Sequence, residues 1–265
     1  MGNMRPIDQQ TILITGATDG LGRALAARLA AEGASILVHG RDDQRGKATM
    51  QEIGGRAFWY RADLSSLAET RALAEAVRAD HPRLDVLVNN AGIGGPASRQ
   101  ESPDGHELTF QVNYLSGYLL TRLLLPTLVA SAPARIVNVS SGAQQAVDFD
   151  DVMITRDYRP MRAYSQSKLA QILFTVDLAE ELAGTGVTAN ALHPATYMPT
   201  KMVPSPISTL EEGVEATYRL VTDPALDDVS GRFYNGLKEA RADAQAYDPD
   251  ARARLRDLSE QLTSP

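Results

Sequence analysis

Tyr164 and Lys168 stand four residues apart in "AYSQSKLAQILF" (163–174), a stretch that otherwise reads as helix. On an α-helix that spacing separates the side chains by about 6 Å along the axis and puts them on one face. A phenol with pKa near 10 keeps its proton at neutral pH and can donate it to a carbonyl oxygen. A neighbouring ammonium favours the phenolate and brings that pKa towards the working range. The spacing alone is a weak motif, since nine tyrosines and four lysines in 265 residues give such a pair by chance roughly 0.14 times. A surface lysine on an ordinary helix is the competing reading, so the rest of the chain must build a site around the pair.

A second constellation lies near the N-terminus. "TGATDGLG" (15–22) follows the apolar, β-branched run "TILIT" (11–15) and opens "LGRALAARLAAEG" (21–33), where Leu21, Leu25 and Leu29 share a helical face and Gly33 marks the stop. The Gly16, Gly20 and Gly22 spacing lets the chain turn sharply, lets a pyrophosphate approach, and lets helix pack on strand. The helix start offers unpaired N–H groups and a partial positive charge to the phosphates. The end of the next strand, "ASILVHG" (34–40), then bears on which dinucleotide binds. An NAD site usually carries an acid there, but this chain has Gly40 followed by Arg41, whose guanidinium can pair with a 2′-phosphate and stack on adenine. NADP(H) is the expected cofactor; the alternative is that Arg41 pairs with Asp42 or Asp43 on the surface.

These groups need a frame. Beyond the first two strands the alternation continues through "AFWY" (57–60), a helix over about 66–79, "LDVLVNNAG" (84–92), a long helix over about 105–130, "ARIVNVSS" (134–141), a helix over about 162–183, and "VTANALHP" (187–194). Short apolar strands separated by helices predict an α/β fold, a doubly wound parallel sheet covered on both faces, in a single domain. Two irregular stretches stand out as substrate loops: residues 142–161, and residues 193–215, whose segment 193–208 holds four of the 14 prolines. The tail from 240 mixes arginine and aspartate with few large apolar residues and reads as a solvated helix or an oligomer contact.

Composition narrows the function classes. A net charge of −7 argues against nucleic-acid binding. No apolar run approaches the ~18 residues of a membrane span, and the start lacks a signal-peptide core. Zero cysteines remove disulfide and thiolate chemistry and favour a cytoplasmic home. The four histidines (39, 81, 106, 193) show no metal spacing, no G-x-S-x-G elbow exists, and Asp148, Asp150 and Asp151 read as a solvated loop.

Taken in order, "TGATDGLG", "ADL" (62–64), "NNAG" (89–92), Asn113 within "QVNYLSGYLLT", "RIVNVSS" (135–141) and "AYSQSKLA" (163–170) resemble the single-domain branch of the short-chain dehydrogenase/reductase family over roughly residues 10–237. The style of "HGRD" and "AYSQSKLA" is similar to members among the retinol dehydrogenases and protochlorophyllide reductases. The resemblance implies a Rossmann fold, and a cofactor held by Gly16, Thr18, Asp19, Gly20, Leu21, Gly22, Arg41, Asp63, Leu64, Asn90, Ala91 and Gly92. Tyr164, Lys168 and Pro194 complete that set. Asp63 would contact the adenine and Lys168 the nicotinamide ribose.

The resemblance also implies the catalytic residues. Tyr164 would be the acid and Lys168 its tuner. Ser141, the second of a serine pair, would hold the substrate oxygen. Asn113 would position a water that links Lys168 to solvent. One departure stands out: the family's Pro-Gly is replaced by Pro194-Ala195, and its nicotinamide-binding threonine four residues on has no exact counterpart. Thr196 and Thr200 are the candidates, with Thr200 preferred. The expected reaction is reversible reduction of a small apolar ketone or aldehyde, lined by residues such as Phe149, Met153, Tyr158, Met161, Tyr197 and Met202, which could equally pack the loops down. A non-enzymatic NADP-binding redox sensor, a C=C reductase and an epimerase are the alternatives on the same fold. A homodimer or homotetramer through the long helices is also consistent with the family.

Overall fold

The computed structural model describes residues 4–199 and 205–264. Eight strands form one sheet in the order β3-β2-β1-β4-β5-β6-β7-β8. They are β1 (Thr11–Ile14), β2 (Ser35–Gly40), β3 (Ala57–Arg61), β4 (Val86–Asn89), β5 (Ala134–Val139), β6 (Val187–His193), β7 (Phe233–Asn235) and β8 (Lys238–Ala240). All neighbours pair in parallel except β7 and β8. Ile12, Leu13 and Ile14 of β1 and Val86, Leu87 and Val88 of β4 are fully buried, as expected where helices cover both faces. The six strands expected from the sequence all form, and the doubly wound α/β frame is the one observed.

One face carries α1 (Gly20–Ala31), α2 (Asp43–Ile53) and α7 (Leu210–Thr222). The other carries α3 (Leu67–Asp80), the rod built from α4 (Leu108–Phe110), a π-helical turn (Gln111–Leu115) and α5 (Ser116–Ala130), then α6 (Pro160–Glu181) and α8 (Pro249–Leu262). The chain leaves β1 towards β3 and returns to β4 on the other side. That reversal opens a crevice at the carboxyl ends of β1 and β4, the usual ligand position in such sheets.

Strands β7 and β8 add to the six expected, and several other segments differ from expectation. Helix α2 is mostly polar, so no apolar stripe announced it; the Asp42 carboxylate caps it by accepting from Arg45 N at 3.0 Å. The expected loop 193–215 ends earlier, because Thr209 and Glu212 form a reciprocal capping box that starts α7. The tail is not solvated throughout. Ala251, Leu255 and Ser259 of α8 are buried; Ser259 Oγ lies 2.7 Å from Tyr114 Oη; Arg256 Nε donates to Asp177 Oδ2 at 2.8 Å. Arg252 and Arg256 pair with the α6 carboxylates of Glu180 and Asp177, and Leu255, Leu258 and Leu262 pack against the core beside the small Ala251. Asp151 is likewise not a solvated acid: its carboxylate accepts from the N–H groups of Thr155 (2.8 Å) and Arg156 (3.1 Å) and shapes the loop before α6.

Candidate active site

The glycine turn is held from several directions. Gly16 and Gly20 adopt φ of +66° and +49°, which favour glycine. A methyl group on Gly22 would strike the Gly16 carbonyl oxygen and come within 2.5 Å of Asn90 Nδ2. Asn90 donates through Nδ2 to Thr15 O (2.8 Å) and Gly16 O (3.3 Å), while Thr15 Oγ1 accepts from Asn90 N and Ala91 N, both at 3.0 Å. Asp19 caps α1 by accepting from Gly20 N at 2.9 Å, and the first-turn N–H groups of Leu21 and Gly22 have no intrahelical partner. A side-chain-free cradle at a helix start fits a pyrophosphate, and the residues present fit a nicotinamide dinucleotide.

His39 is a support that sequence reasoning missed. Its Nδ1 accepts from Gly16 N at 3.2 Å, and its Nε2 faces Ala62 O at 3.1 Å, so the neutral Nε2–H tautomer satisfies both bonds. Burial, opposed by the Ala62 carbonyl, lowers its pKa to about 4 and keeps it neutral. The available signal was a histidine within an otherwise apolar strand running to the turn's edge.

Arg41 is exposed, one residue past β2. Of the two acids that follow it, Asp42 caps α2 while still feeling the Arg41 charge, and Asp43 accepts from Trp59 Nε1 at 2.9 Å. The Trp59 ring lies against Gly46, where a methyl group would come within 2.5 Å of it, and beside Gly40. Asp63 accepts from Ser65 N at 2.9 Å. Burial opposes its charge, but the bonds from Ser65 and the charges of Arg41 and Arg61 hold the carboxyl below its ordinary pKa. Leu64 is buried in the core.

Asn113, Ser141, Tyr164 and Lys168 come together at the crevice from three pieces of frame: the π-helical turn, the end of β5 and α6. The π-helical turn presents Asn113, a local irregularity often found at functional sites. Asn113 Oδ1 accepts from Ile93 N (2.7 Å), and its Nδ2 donates to Ile93 O and Ser167 Oγ, both at 3.0 Å. A methyl on Gly92 would lie 3.3 Å from Asn113 Oδ1 and 3.4 Å from Lys168 Nζ, so these three residues converge. Lys168 is 4% exposed; its Nζ donates to Val139 O at 3.0 Å and lies 5.6 Å from the centroid of the Tyr164 ring. Ser140 and Ser141 divide the work at the end of β5. Ser140 Oγ donates to Lys168 O at 2.7 Å, whereas Ser141 Oγ accepts from Ala143 N at 3.0 Å and bonds the Tyr164 hydroxyl.

The electrostatics depart from the sequence expectation. Burial pushes the Tyr164 phenol above its ordinary pKa, with Ser141 pulling the other way. Burial brings Lys168 down to about 8. The ammonium's direct bond goes to Val139 O, and burial dominates the phenol. The lysine, not the tyrosine, is therefore the group nearest neutrality, and the tyrosine is a firmly protonated acid.

The pocket floor is also unusual. Pro194 is buried, and Thr196 Oγ1 lies 3.0 Å from Nε2 of His193, whose pKa is lowered by burial and then by the Lys168 charge. Thr200 and Met202 lie outside the described residues. Of the expected substrate-lining side chains, Phe149 and Met153 pack against the core. Tyr158 Oη donates to Pro96 O at 3.1 Å, while Met161 and Tyr197 are exposed. Much of the apolar set thus holds the loop down. Among the described residues no helix is long and apolar enough to cross a membrane, and no acid or histidine cluster could hold a metal.

The profile of the short chain dehydrogenase family matches residues 10–209. Human retinol dehydrogenase 13 is 36% identical over 275 residues, covering 94% of this chain and 83% of that protein. A crystal structure of an uncharacterised protein from Mycobacterium paratuberculosis superposes with a TM-score of 0.84 at 32% identity, covering 98% of this chain and 95% of the other. The 3-ketoacyl-(acyl-carrier-protein) reductase of Brucella melitensis, solved with NADH, gives a TM-score of 0.71 at 27% identity, covering 86% and 97%.

Proposed function

The chain belongs to the short-chain dehydrogenase family of oxidoreductases, and on that footing we propose that it reduces a ketone or aldehyde to an alcohol with NADPH, reversibly. The observation that carries this reading is the meeting of Tyr164, Ser141 and a buried Lys168 beside the glycine turn. The bound cofactor would supply the hydride to the carbonyl carbon. Ser141, whose Oγ already accepts from Ala143 N–H, keeps its own proton to donate to the substrate oxygen. Tyr164 gives its proton to that oxygen, and the charge of Lys168 stabilises the phenolate left behind. Asn113 commits both amide protons, to Ile93 O and Ser167 Oγ, and its Oδ1 accepts from Ile93 N, so we assign it as the strut that keeps the 93 segment against α6.

NADPH rather than NADH rests on Arg41 alone, since the solved neighbour described above carries NADH. The retinol dehydrogenase relatives favour an apolar substrate with a primary alcohol or aldehyde. We place the reaction in the cytoplasm because a chain with no cysteine suits a reducing compartment; cell fractionation checks this. The test of the reaction is NADPH oxidation across a panel of ketones, aldehydes and quinones. Tyr164→Phe should lower turnover by roughly 10²–10⁴-fold. If that variant turns over like the wild type, the assigned acid is wrong.

A further inference from the structure

The loop that follows Ser141 is held from two sides. From α6, Gln166 Oε1 accepts from Asp148 N (3.1 Å) and its Nε2 donates to Val152 O (2.9 Å). From the other side comes a segment more than thirty residues past the end of the family match at residue 209. Gln144 Nε2 donates to the backbone oxygen of Ser141 (3.0 Å), and its Oε1 accepts from Asp243 N (2.8 Å). Gln245 Oε1 accepts from Val147 N (2.6 Å) and its Nε2 donates to Val147 O (3.0 Å), satisfying both backbone groups as a neighbouring strand would. Gln245 is itself fixed, because Asp243 Oδ1 accepts from its N–H at 2.9 Å. Val147, Ala242 and Ala246 are buried in one core cluster, so the segment and the loop pack as well as bond.

We infer that Gln144 and Gln245 are positioning residues, through which segment 242–247 forms a fixed wall behind Ser141 and the substrate loop. Side-chain amides suit this task because each offers a donor and an acceptor, and so can bridge or copy a peptide group. Gln144 spans from the Ser141 carbonyl to the segment with a single side chain. Without it, Ser141 is oriented only by the local bond from Ala143 and by its bond with the Tyr164 hydroxyl. The inference rests on the reductase reading, in which Ser141 holds the substrate oxygen, and deepens it by assigning the C-terminal segment to the same site.

The test uses the full chain, with Gln144→Met, Gln245→Met and the milder Gln245→Asn. Three readouts are compared with the wild type: amide hydrogen exchange over residues 141–147, NADPH affinity by calorimetry, and kcat and KM for the best carbonyl substrate. Exchange should quicken by about tenfold or more. NADPH affinity should stay within about twofold, and kcat/KM should fall by about tenfold to a hundredfold, as a displaced reacting group predicts. Unchanged exchange overturns the inference. So does faster exchange with wild-type kcat and KM, which would make the contacts merely structural. A wild type with no Tyr164-dependent turnover overturns the reductase reading itself, whereas an active wild type with unaffected variants overturns only the wall.

Discussion

Lys168 keeps its ammonium where water barely reaches, and burial lowers its pKa from the ordinary 10.5 to about 8. Between those values the unfolded chain binds a proton that the folded chain has released, so stability rises with pH across that window. At pH 7 both states are charged, and the folded state carries a penalty of about 3 kcal/mol. Lys168→Met should therefore raise the melting temperature at pH 7. The net gain is about 1–2 kcal/mol once the Val139 carbonyl has lost its donor. Calorimetry should find the gain gone by about pH 10.5, with carbonyl reduction reduced to background. In the wild type, turnover should decline as pH rises through about 8, when the charge that stabilises the phenolate is lost. Arg41 supplies a second prediction at this scale. Arg41→Ala should raise KM for NADPH by about tenfold to a hundredfold, the worth of a charged hydrogen bond, and leave KM for NADH nearly unchanged.

Among the elements, the segment after β4 and the start of α6 approach backbone to backbone. A methyl group on Gly95 would collide with the carbonyl oxygen of Pro160, a backbone atom that cannot swing aside. Gly95→Ala should cost roughly 1–3 kcal/mol of stability. It should also lower kcat, because Ile93, two residues earlier, is bonded to Asn113; thermal melts and steady-state kinetics read the two effects. How far such things were legible depended on whether a local rule governs them. The strands show as apolar runs because helices bury both their faces. The Tyr164–Lys168 pair shows because helical spacing fixes the face. The π-helical turn under Asn113 left no trace, since an extra residue in a turn changes no residue type. Helix α2 was hidden by its polarity, and α7 could have been found from the Thr209–Glu212 box. The burial that reverses the expected order of the Tyr164 and Lys168 shifts is a property of the assembled crevice, and no spacing rule reports it.

Over the whole molecule, the turn, the sheet edge and acid stability meet in His39. It stays neutral down to about pH 4, while the unfolded chain takes up a proton near 6.5. Stability is complete above 6.5 and falls as pH drops towards 4, by up to about 3 kcal/mol. His81 and His193, also lowered by burial, add in the same direction. Urea midpoints at pH 7 and 4.5 should differ less in His39→Asn than in the wild type. In His39→Leu, where Gly16 N–H loses its acceptor, NADPH should bind more weakly. The chain's one tryptophan, Trp59, stands at the far end of the same cradle, against Gly46 and next to the β2 terminus that leads into Arg41. Its indole emission can pass by energy transfer to a reduced nicotinamide bound nearby. Quenching of that fluorescence would thus count dinucleotide molecules as they bind, before any substrate has been identified.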